Sequence, residues 1–263
     1  MRVLMVGAGA VGGYFGGRLV EKGEDVTFLV RKKRQEQLEQ NGLVIKSVNG
    51  DAKLKVKTLT AGQPAPAFDL IILSVKAYHL TETVNDLKPY VGENTTILPL
   101  LNGIVHIQQL QNEFGAEKIL GGLCFIESTL NAQGEIEQYS PQHEIVYGEL
   151  NGDVTKRILD IQALFDGAGF DARYSQKIRI EMWQKYIFIS AMSGMTCLMN
   201  SSIGPILSAP YGKEMYHQLL EEIVSVARHQ EPEIPTALAG KILHNMESLS
   251  PSMKSSMLRD MEK

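Results

Sequence analysis

A glycine-rich turn near the start of the chain has the residue types and spacing to bind a dinucleotide. It reads Gly7-Ala8-Gly9-Ala10-Val11-Gly12, between the strand-like run Arg2–Val6 and a helix-like stretch that ends near Gly23. In this setting Gly7 allows a tight turn, Gly9 lets the backbone approach a pyrophosphate, and Gly12 allows close helix–sheet packing. The helix N-terminus adds N–H groups and partial positive charge for the phosphates. The motif therefore predicts a cofactor site, rather than a glycine-rich turn that binds nothing.

Basic residues at the end of the second predicted strand indicate which dinucleotide binds. A protein that prefers NAD usually has an acidic residue about twenty residues beyond the glycine motif, whereas this chain has Val30-Arg31-Lys32-Lys33-Arg34. The planar guanidinium of Arg31 is suited to stacking on adenine or gripping a ribose phosphate. A solvated basic start to the next helix is the alternative, although positive charge there opposes the helix dipole. Arg31 thus favours NADPH over NADH.

Three polar side chains could complete hydride-transfer chemistry on a carbonyl substrate. A ketone that accepts hydride gains negative charge on oxygen, so its site needs a proton donor or a fixed cation. Lys185 lies in the apolar and aromatic stretch 183–189, where an inward-pointing lysine would be desolvated. Lys76 and Asn102 each follow a predicted buried strand. On spacing alone, Lys76 could be a surface lysine and Asn102 a turn asparagine.

The elements around these residues predict an α/β protein with a Rossmann-type dinucleotide-binding domain and an all-helical C-terminal domain. Apolar, β-branched runs at 2–6, 25–30, 69–75 and 95–100 are typical of buried parallel strands. Helix-like stretches at 181–199, 213–228 and 235–249 follow. We place an NADPH-binding domain at 1–174 and a helical substrate and dimerisation domain at 175–263. Apolar stripes on the later helices could serve an internal core or a homodimer interface equally well.

Other segments are expected to enlarge the parallel sheet. The runs 43–48 and 52–59 flank Asn49-Gly50, which predicts a hairpin inserted into that sheet. The β-rich pieces at 121–129, 135–140 and 144–148 are expected to extend it further.

Composition excludes several classes of function. The chain has 263 residues, 44% hydrophobic content and a formal net charge of −4, which gives no overall attraction to nucleic acid or an anionic membrane. No apolar run is long enough to span a bilayer. Cys124, Cys197 and the histidines lack metal-ligand spacing, so no metal is expected. We expect a cytoplasmic protein whose partner is a small molecule.

Five motifs in order along the whole chain resemble ketopantoate reductase (2-dehydropantoate 2-reductase). They are the glycine turn, Ser74-Val75-Lys76-Ala77, Leu101-Asn102-Gly103, Glu181-Met182-Trp183-Gln184-Lys185 and Ser255-Ser256-Met257-Leu258-Arg259-Asp260. The resemblance implies a helical domain like the C-terminal part of 6-phosphogluconate dehydrogenase. It also implies NADPH-dependent reduction of the 2-oxo acid 2-dehydropantoate to (R)-pantoate, a step of pantothenate and coenzyme A synthesis.

The resemblance also implies a role for each matching residue. Lys185 would be the catalytic lysine, which protonates or polarises the substrate carbonyl oxygen. Asn102 would lie near nicotinamide and substrate, Lys76 on the cofactor side, and Arg31 at the 2′-phosphate. Ser256 would help to hold the substrate, with helix capping or surface solvation as its alternative role.

Two departures from the family pattern bear on the substrate. Typical members have asparagines four and eight residues after the catalytic lysine, where this chain has Ile189 and Ser193. Isoleucine donates no hydrogen bond, so a D-2-hydroxyacid dehydrogenase for another branched or aromatic 2-oxo acid is an alternative. Members also continue to a glutamate beyond the serine motif, so the helical domain is expected to be truncated at its C-terminus. If the site is instead incomplete, the alternative is an NADP(H)-binding protein without turnover.

Overall fold

The computed structural model describes residues 1–262, in which strands and helices alternate before a purely helical stretch. The strands are β1 (Arg2–Val6), β2 (Asp25–Leu29), β3 (Leu43–Ser47), β4 (Ala52–Leu54), β5 (Lys57–Leu59), β6 (Leu70–Leu73), β7 (Thr96–Pro99), β8 (Gly121–Leu130), β9 (Ile136–Gly148) and β10 (Asp171–Tyr174). The helices are α1 (Ala10–Lys22), α2 (Lys32–Asn41), α3 (Leu80–Leu87), α4 (Val105–Phe114), α5 (Lys156–Phe165), α6 (Ile178–Leu198), α7 (Ile203–Ser208), α8 (Gly212–Gln230), α9 (Leu238–Glu247) and α10 (Ser256–Met261). Three short 3₁₀ turns, at 77–79, 88–90 and 116–118, complete these elements within the described residues.

The chain divides into two units, Met1–Ile178 and Arg179–Lys263. The division falls at the start of α6, close to the boundary that the sequence predicts between residues 174 and 175. The first unit contains every strand of the described chain, and the second is helical.

A five-stranded parallel sheet forms the centre of the first unit, as the sequence predicts. Its strand order is β5-β2-β1-β6-β7, with Val3 of β1 paired to Val26 of β2 and to Leu70 of β6. Alternate residues of β1 lie in separate apolar clusters, because Val3 and Met5 point to one face and Leu4 and Val6 to the other. Burial on both faces explains why β1 and β6 are continuous apolar runs.

The predicted hairpin forms, but its insertion into the parallel sheet is wrong. β3 and β4 pair antiparallel, with Leu43 opposite Leu54, and β3 then pairs with β9 in a second sheet of order β10-β9-β3-β4. Only β5 joins the parallel sheet, at the edge beside β2. The hairpin turns to the second sheet because Leu43 and Ile45 pack there against α1.

The expectation that the later β-rich pieces extend the parallel sheet is also wrong. β8 pairs antiparallel with β9 in the second sheet, and the two predicted pieces at 135–140 and 144–148 are one strand, β9. Pairing skips from Gln138–Ser128 to His143–Ile126, which leaves Pro141 in an irregular part of the ladder. Proline lacks the N–H that a regular ladder requires, so it is tolerated at such a bulge.

Helix α1 lies between the two sheets and is buried on both sides. A Cβ at Gly16 would come within 2.7 Å of Phe28 in the parallel sheet, and one at Gly17 within 2.7 Å of Ile45 in the second sheet. Side chains on both of these helix faces would therefore push the sheets apart. The glycines of α1 set how closely the two sheets approach the helix.

The second unit is built from α6 to α10. Tyr216 and Leu220 of α8 are fully buried, and Ile242 and Met246 of α9 are also buried, as the predicted apolar stripes require. Gly204 of α7 donates its backbone N–H to the Pro251 carbonyl at 2.9 Å, which holds the segment before α10 beside α7. The short helices α7 and α10 add to the three that the sequence predicts.

Candidate cofactor and active site

The glycine-rich turn leaves β1 in a conformation that depends on its first glycine. Gly7 has φ +91°, in the left-handed region that favours glycine, and its N–H donates to the Leu29 carbonyl of β2 at 3.0 Å. A Cβ at Gly12 would lie 2.0 Å from Ser74 Oγ and 2.3 Å from the Gly7 carbonyl oxygen. Protein packing therefore requires glycine at position 12, and α1 begins pressed against the end of β6.

Gly9 has a different reason for being glycine. Its backbone is extended, with φ −82° and ψ −164°, which other residues adopt readily. A Cβ at Gly9 would meet no heavy atom beyond its chain neighbours within 4 Å. Neither the backbone nor the described protein packing requires glycine here. The remaining physical reasons are the modest preference for glycine over alanine at a helix N-cap and the close approach of a ligand to the backbone. This observation fits the turn to a pyrophosphate at the N-terminus of α1.

The parallel sheet brings the predicted residues of the first unit to one edge. The turn 7–12 follows β1, Arg31 follows β2, Lys76 follows β6 and Asn102 follows β7. Because all these strands are parallel and adjacent, their carboxyl ends share one edge. β1 is the central strand from which the order runs outward in both directions, and ligands of open α/β sheets bind at such a switch point.

Arg31 lies at the start of α2 and contacts the beginning of α3. Its Nη2 donates to Glu82 Oε2 at 2.8 Å and lies 3.2 Å from His79 Nδ1, while its side chain is 66% exposed. The ion pair is solvent-exposed, and pairs of this kind bind weakly enough to exchange partners. Arg31 is therefore accessible to a phosphate that competes with Glu82.

Lys76 and Asn102 both lie exposed in turns beyond buried strands. Lys76 precedes the 3₁₀ turn at 77–79 that leads into α3, and its carbonyl accepts the His79 N–H at 2.9 Å. Asn102 is followed by Gly103, whose φ of +89° lets the chain reverse into α4. The geometry places both residues at the predicted edge, and their roles there remain predictions.

Several contacts at this edge were not predicted from the sequence. Arg34, one helical turn after Arg31, donates from Nε to the Ala8 carbonyl of the glycine turn at 3.1 Å. His79 and Glu82 contact Arg31 from three and six residues beyond Lys76. The spacing of three residues between Arg31 and Arg34 is a signal that could have found Arg34.

His106 is a titratable group near Asn102, in the first turn of α4. It is 5% exposed, and burial lowers its pKa to about 4. Its Nε2 has no hydrogen-bond partner among the described residues. The imidazole is therefore neutral and enclosed near neutral pH, so His106 is a poor candidate for a positively charged proton donor.

Lys185 lies half-buried on α6 of the second unit. Met182, Trp183 and Ile187 of the same stretch of α6 are buried, and the environment of the Lys185 ammonium stays a prediction. Ile189 and Ser193, one and two turns further along α6, are also half-buried. Ile189 therefore places an aliphatic side chain one turn from Lys185, where the family pattern described above has an asparagine.

Ser256 begins α10, and its neighbour Ser255 caps the helix. Ser255 Oγ accepts the Leu258 N–H at 3.1 Å and lies 2.7 Å from Thr196 Oγ1 of α6. Ser255 is buried, whereas Ser256 is exposed. The capping role considered for Ser256 thus belongs to Ser255, and of its predicted roles substrate contact and surface solvation remain.

The described residues 1–262 hold no cluster of three or more His, Cys, Asp or Glu side chains that could bind a metal ion. In the same residues, no helix is both long and apolar enough to cross a membrane.

A parallel sheet with a glycine-rich turn at its switch point, followed by a helical unit, places the chain in the class of two-unit Rossmann-type dinucleotide-binding proteins. A model of the family described as "Ketopantoate reductase PanE/ApbA" matches residues 3–152, and its C-terminal counterpart matches residues 177–263. The chain therefore belongs to the ketopantoate reductase family.

Individual similar proteins include one of these reductases and other oxidoreductases. An uncharacterised oxidoreductase of Bacillus subtilis, YkpB, is 45% identical over 100% of this chain and 86% of its own length. The crystal structure of 2-dehydropantoate 2-reductase from Geobacter metallireducens is 30% identical with a TM-score of 0.90, covering 100% of this chain and 87% of that one. A D-mandelate dehydrogenase with NADH and anilino(oxo)acetate is 20% identical with a TM-score of 0.87, covering 98% and 84%, and shares the fold.

Proposed function

We propose that this oxidoreductase uses NADPH to reduce 2-dehydropantoate to (R)-pantoate, in the synthesis of pantothenate and hence coenzyme A. The observation that carries the proposal is the glycine turn at the sheet edge, where Gly9 has no packing reason to be glycine. Membership of the family supplies the substrate class. The test is oxidation of NADPH, followed by absorbance, with 2-dehydropantoate as substrate.

The choice of NADPH rests on Arg31 and the absence of an acid at the end of β2. Arg31 is exposed and paired with Glu82, so a 2′-phosphate with up to two negative charges could replace the single carboxylate. We expect Arg31→Ala to raise the KM for NADPH far more than the KM for NADH. Lys57→Ala is a matched control, because this cation pairs with Asp25 at the opposite end of the β5–β2 pair. Equal effects of Arg31→Ala on both cofactors would contradict the assignment.

Residues of this chain would handle the cofactor and the proton as follows. Bound NADPH supplies the hydride. The turn 7–12 binds the pyrophosphate, Lys76 contributes positive charge on the cofactor side, and Asn102 orients nicotinamide and substrate. Lys185 places an ammonium at the substrate carbonyl oxygen and donates its proton as negative charge develops there. Ser256 hydrogen-bonds the substrate.

The role of Lys185 has a direct test. Lys185→Ala should abolish measurable turnover while NADPH affinity stays within about twofold, since the side chain acts on the substrate. Lys213→Ala removes an exposed lysine of the same unit, paired with Glu247 at 2.8 Å, and should leave turnover unchanged. Intact turnover in Lys185→Ala would refute the catalytic assignment whichever 2-oxo acid proves best.

Ile189 favours one alternative substrate class, a branched or aromatic 2-oxo acid reduced by a D-2-hydroxyacid dehydrogenase. An apolar side chain one turn from Lys185 offers a hydrophobic contact and no hydrogen bond to a polar substrate. Measuring kcat/KM for 2-dehydropantoate and for a panel of branched and aromatic 2-oxo acids distinguishes the two hypotheses. Ile189→Asn should then shift the preference towards 2-dehydropantoate, whereas a loss on every substrate would indicate a packing role.

The third candidate is an NADP(H)-binding protein without turnover. It predicts tight NADPH binding by fluorescence together with no oxidation on any 2-oxo acid of the panel. Turnover on any one of them excludes it.

A further inference from the structure

Arg34 connects the glycine turn to two other segments of the first unit. Its Nε donates to the Ala8 carbonyl at 3.1 Å, and its Nη1 donates to Gln37 Oε1 at 2.5 Å and to the Gly134 carbonyl at 2.8 Å. Ala8 is buried and Arg34 is half-buried, so these contacts lie largely away from solvent. Three fixed acceptors hold one guanidinium against the loop that is proposed to bind phosphate.

The contact with Ala8 fixes the direction of a particular peptide group. In a trans peptide the C=O and the following N–H point in opposite directions, and the described chain has no cis peptide bond. A guanidinium that holds the Ala8 carbonyl therefore directs the Gly9 N–H away from Arg34. The positive charge also polarises this amide, which makes the N–H a stronger donor to an anion.

We propose that Arg34 is a positioning residue that orients the Ala8–Gly9 peptide towards the pyrophosphate of the dinucleotide. This inference rests on the proposed cofactor site and adds a residue whose role differs from that of Arg31. Arg31 distinguishes the two cofactors through the 2′-phosphate, whereas Arg34 acts on the pyrophosphate that NADPH and NADH share. Loss of Arg34 should therefore weaken both cofactors equally.

The turn between β8 and β9 supplies part of this arrangement. Gln37 Nε2 donates to the Gln133 carbonyl at 2.6 Å, and Arg34 reaches the adjacent Gly134, so α2 is attached to this turn at two points. Gln37 contacts Arg34 and the turn, whereas only Arg34 of these side chains donates to Ala8. Gln37→Ala removes the contact with Gln133 and one of the three Arg34 acceptors, but keeps the Arg34 contacts with the Ala8 and Gly134 carbonyls. This variant therefore measures how much of any effect comes from the attachment of α2.

The experiment measures the Kd of NADPH, NADH and 2′-AMP for the wild type, Arg34→Met, Arg34→Lys and Gln37→Ala, together with each Tm. Arg34→Met keeps the alkyl stem and should weaken NADPH and NADH by about tenfold each. Their ratio should stay within about twofold, and 2′-AMP, which lacks the pyrophosphate, should bind as it does to the wild type. Arg34→Lys keeps the charge and a single donor nitrogen, and its affinity should fall by only about threefold, equally for both cofactors. It serves as the test if Arg34→Met does not fold.

Three results would overturn the inference. Unchanged binding of both cofactors to Arg34→Met would remove the proposed role. Selective loss of NADPH together with 2′-AMP would show direct contact with the 2′-phosphate. A loss of the same size in Gln37→Ala would assign the effect to the attachment of α2. Failure of the wild type to bind either cofactor would instead refute the proposed function, so the two failures are distinguishable.

Discussion

Replacing Gly9 by alanine tests whether cofactor binding or protein stability requires glycine at this position. The backbone at Gly9 suits alanine, and a Cβ there would meet no heavy atom beyond its chain neighbours within 4 Å. Two small effects on folding oppose each other. Alanine restricts the unfolded chain, which stabilises by roughly 0.4–1 kcal/mol, whereas glycine is preferred over alanine as a helix N-cap by about 0.5 kcal/mol. We expect the free energy of unfolding to change by less than about 1 kcal/mol.

Cofactor binding should respond much more strongly to the same methyl group. A pyrophosphate that hydrogen-bonds to the turn lies against the backbone, so a Cβ would displace it by about 1 Å and lengthen its contacts with the N–H groups. A hydrogen bond to a charged group contributes about 1.5–3 kcal/mol. The loss of one or its equivalent predicts an NADPH Kd that rises about 10- to 100-fold.

Gly12→Ala is the matched control, because packing alone requires glycine there. Its Cβ would lie 2.3 Å from the Gly7 carbonyl oxygen, which is backbone and cannot rotate away. Overpacking of this kind costs about 1–3 kcal/mol or more, and each kcal/mol lowers Tm by about 2–4 °C in a chain of this size. Fluorescence titration with NADPH and thermal unfolding measure both variants. Wild-type affinity in Gly9→Ala, or a Tm that falls as far as in Gly12→Ala, would refute the reasoning.

Three further predictions concern ionisable groups. His106 is neutral when folded with a pKa of about 4, so stability is complete above about pH 6.5 and falls as pH drops towards 4. In urea titrations, the free energy of unfolding should fall by about 2 kcal/mol between about pH 7.5 and pH 5. This fall should be absent in His106→Gln. Arg157→Met should cost about 3 kcal/mol at pH 7, because it leaves the buried Glu149 carboxylate without its two guanidinium hydrogen bonds; an unchanged urea midpoint would contradict this. Glu82→Gln should lower the NADPH Kd about threefold at low salt by releasing Arg31, and an effect of equal size on NADH would argue against competition with the 2′-phosphate.

The sequence predicted those parts of the site whose residues lie close together along the chain. The strand, glycine turn and helix at residues 2–22 lie next to one another in sequence, so their geometry follows from residue type and spacing. Lys76 and Asn102 could be placed for a related reason, since the carboxyl ends of parallel strands share one edge. The sequence also indicated that the stretch of α6 around Lys185 contains buried apolar residues.

The sequence did not predict which strands pair with each other when they lie far apart along the chain. The segment 52–59 has a pattern suited to a strand throughout, but β4 pairs with β3 while β5 pairs with β2. Either sheet could satisfy the backbone hydrogen bonds, and the packing of β3 against α1 favours the second sheet for the hairpin. Arg34 belongs to the basic cluster that the sequence singles out, but the contacts of Arg34 and Glu82 were not predicted. Their partners, the Ala8 carbonyl and the Arg31 guanidinium, are 26 and 51 residues away.

The glycines between positions 7 and 17 show that the sequence alone does not reveal why each position is glycine. Gly16 and Gly17 are required by the two sheets that enclose α1, and Gly12 by the carbonyl of Gly7. Gly9 faces none of these constraints, so packing does not account for it. From the sequence, all of these glycines belong to one nucleotide-binding motif or to the helix that follows it. In the structure, packing requires Gly12, Gly16 and Gly17, whereas Gly9 is the position where a ligand could approach the backbone. That division makes the cofactor proposal testable, because it predicts that Gly12→Ala destabilises the fold and that Gly9→Ala weakens cofactor binding with little effect on stability.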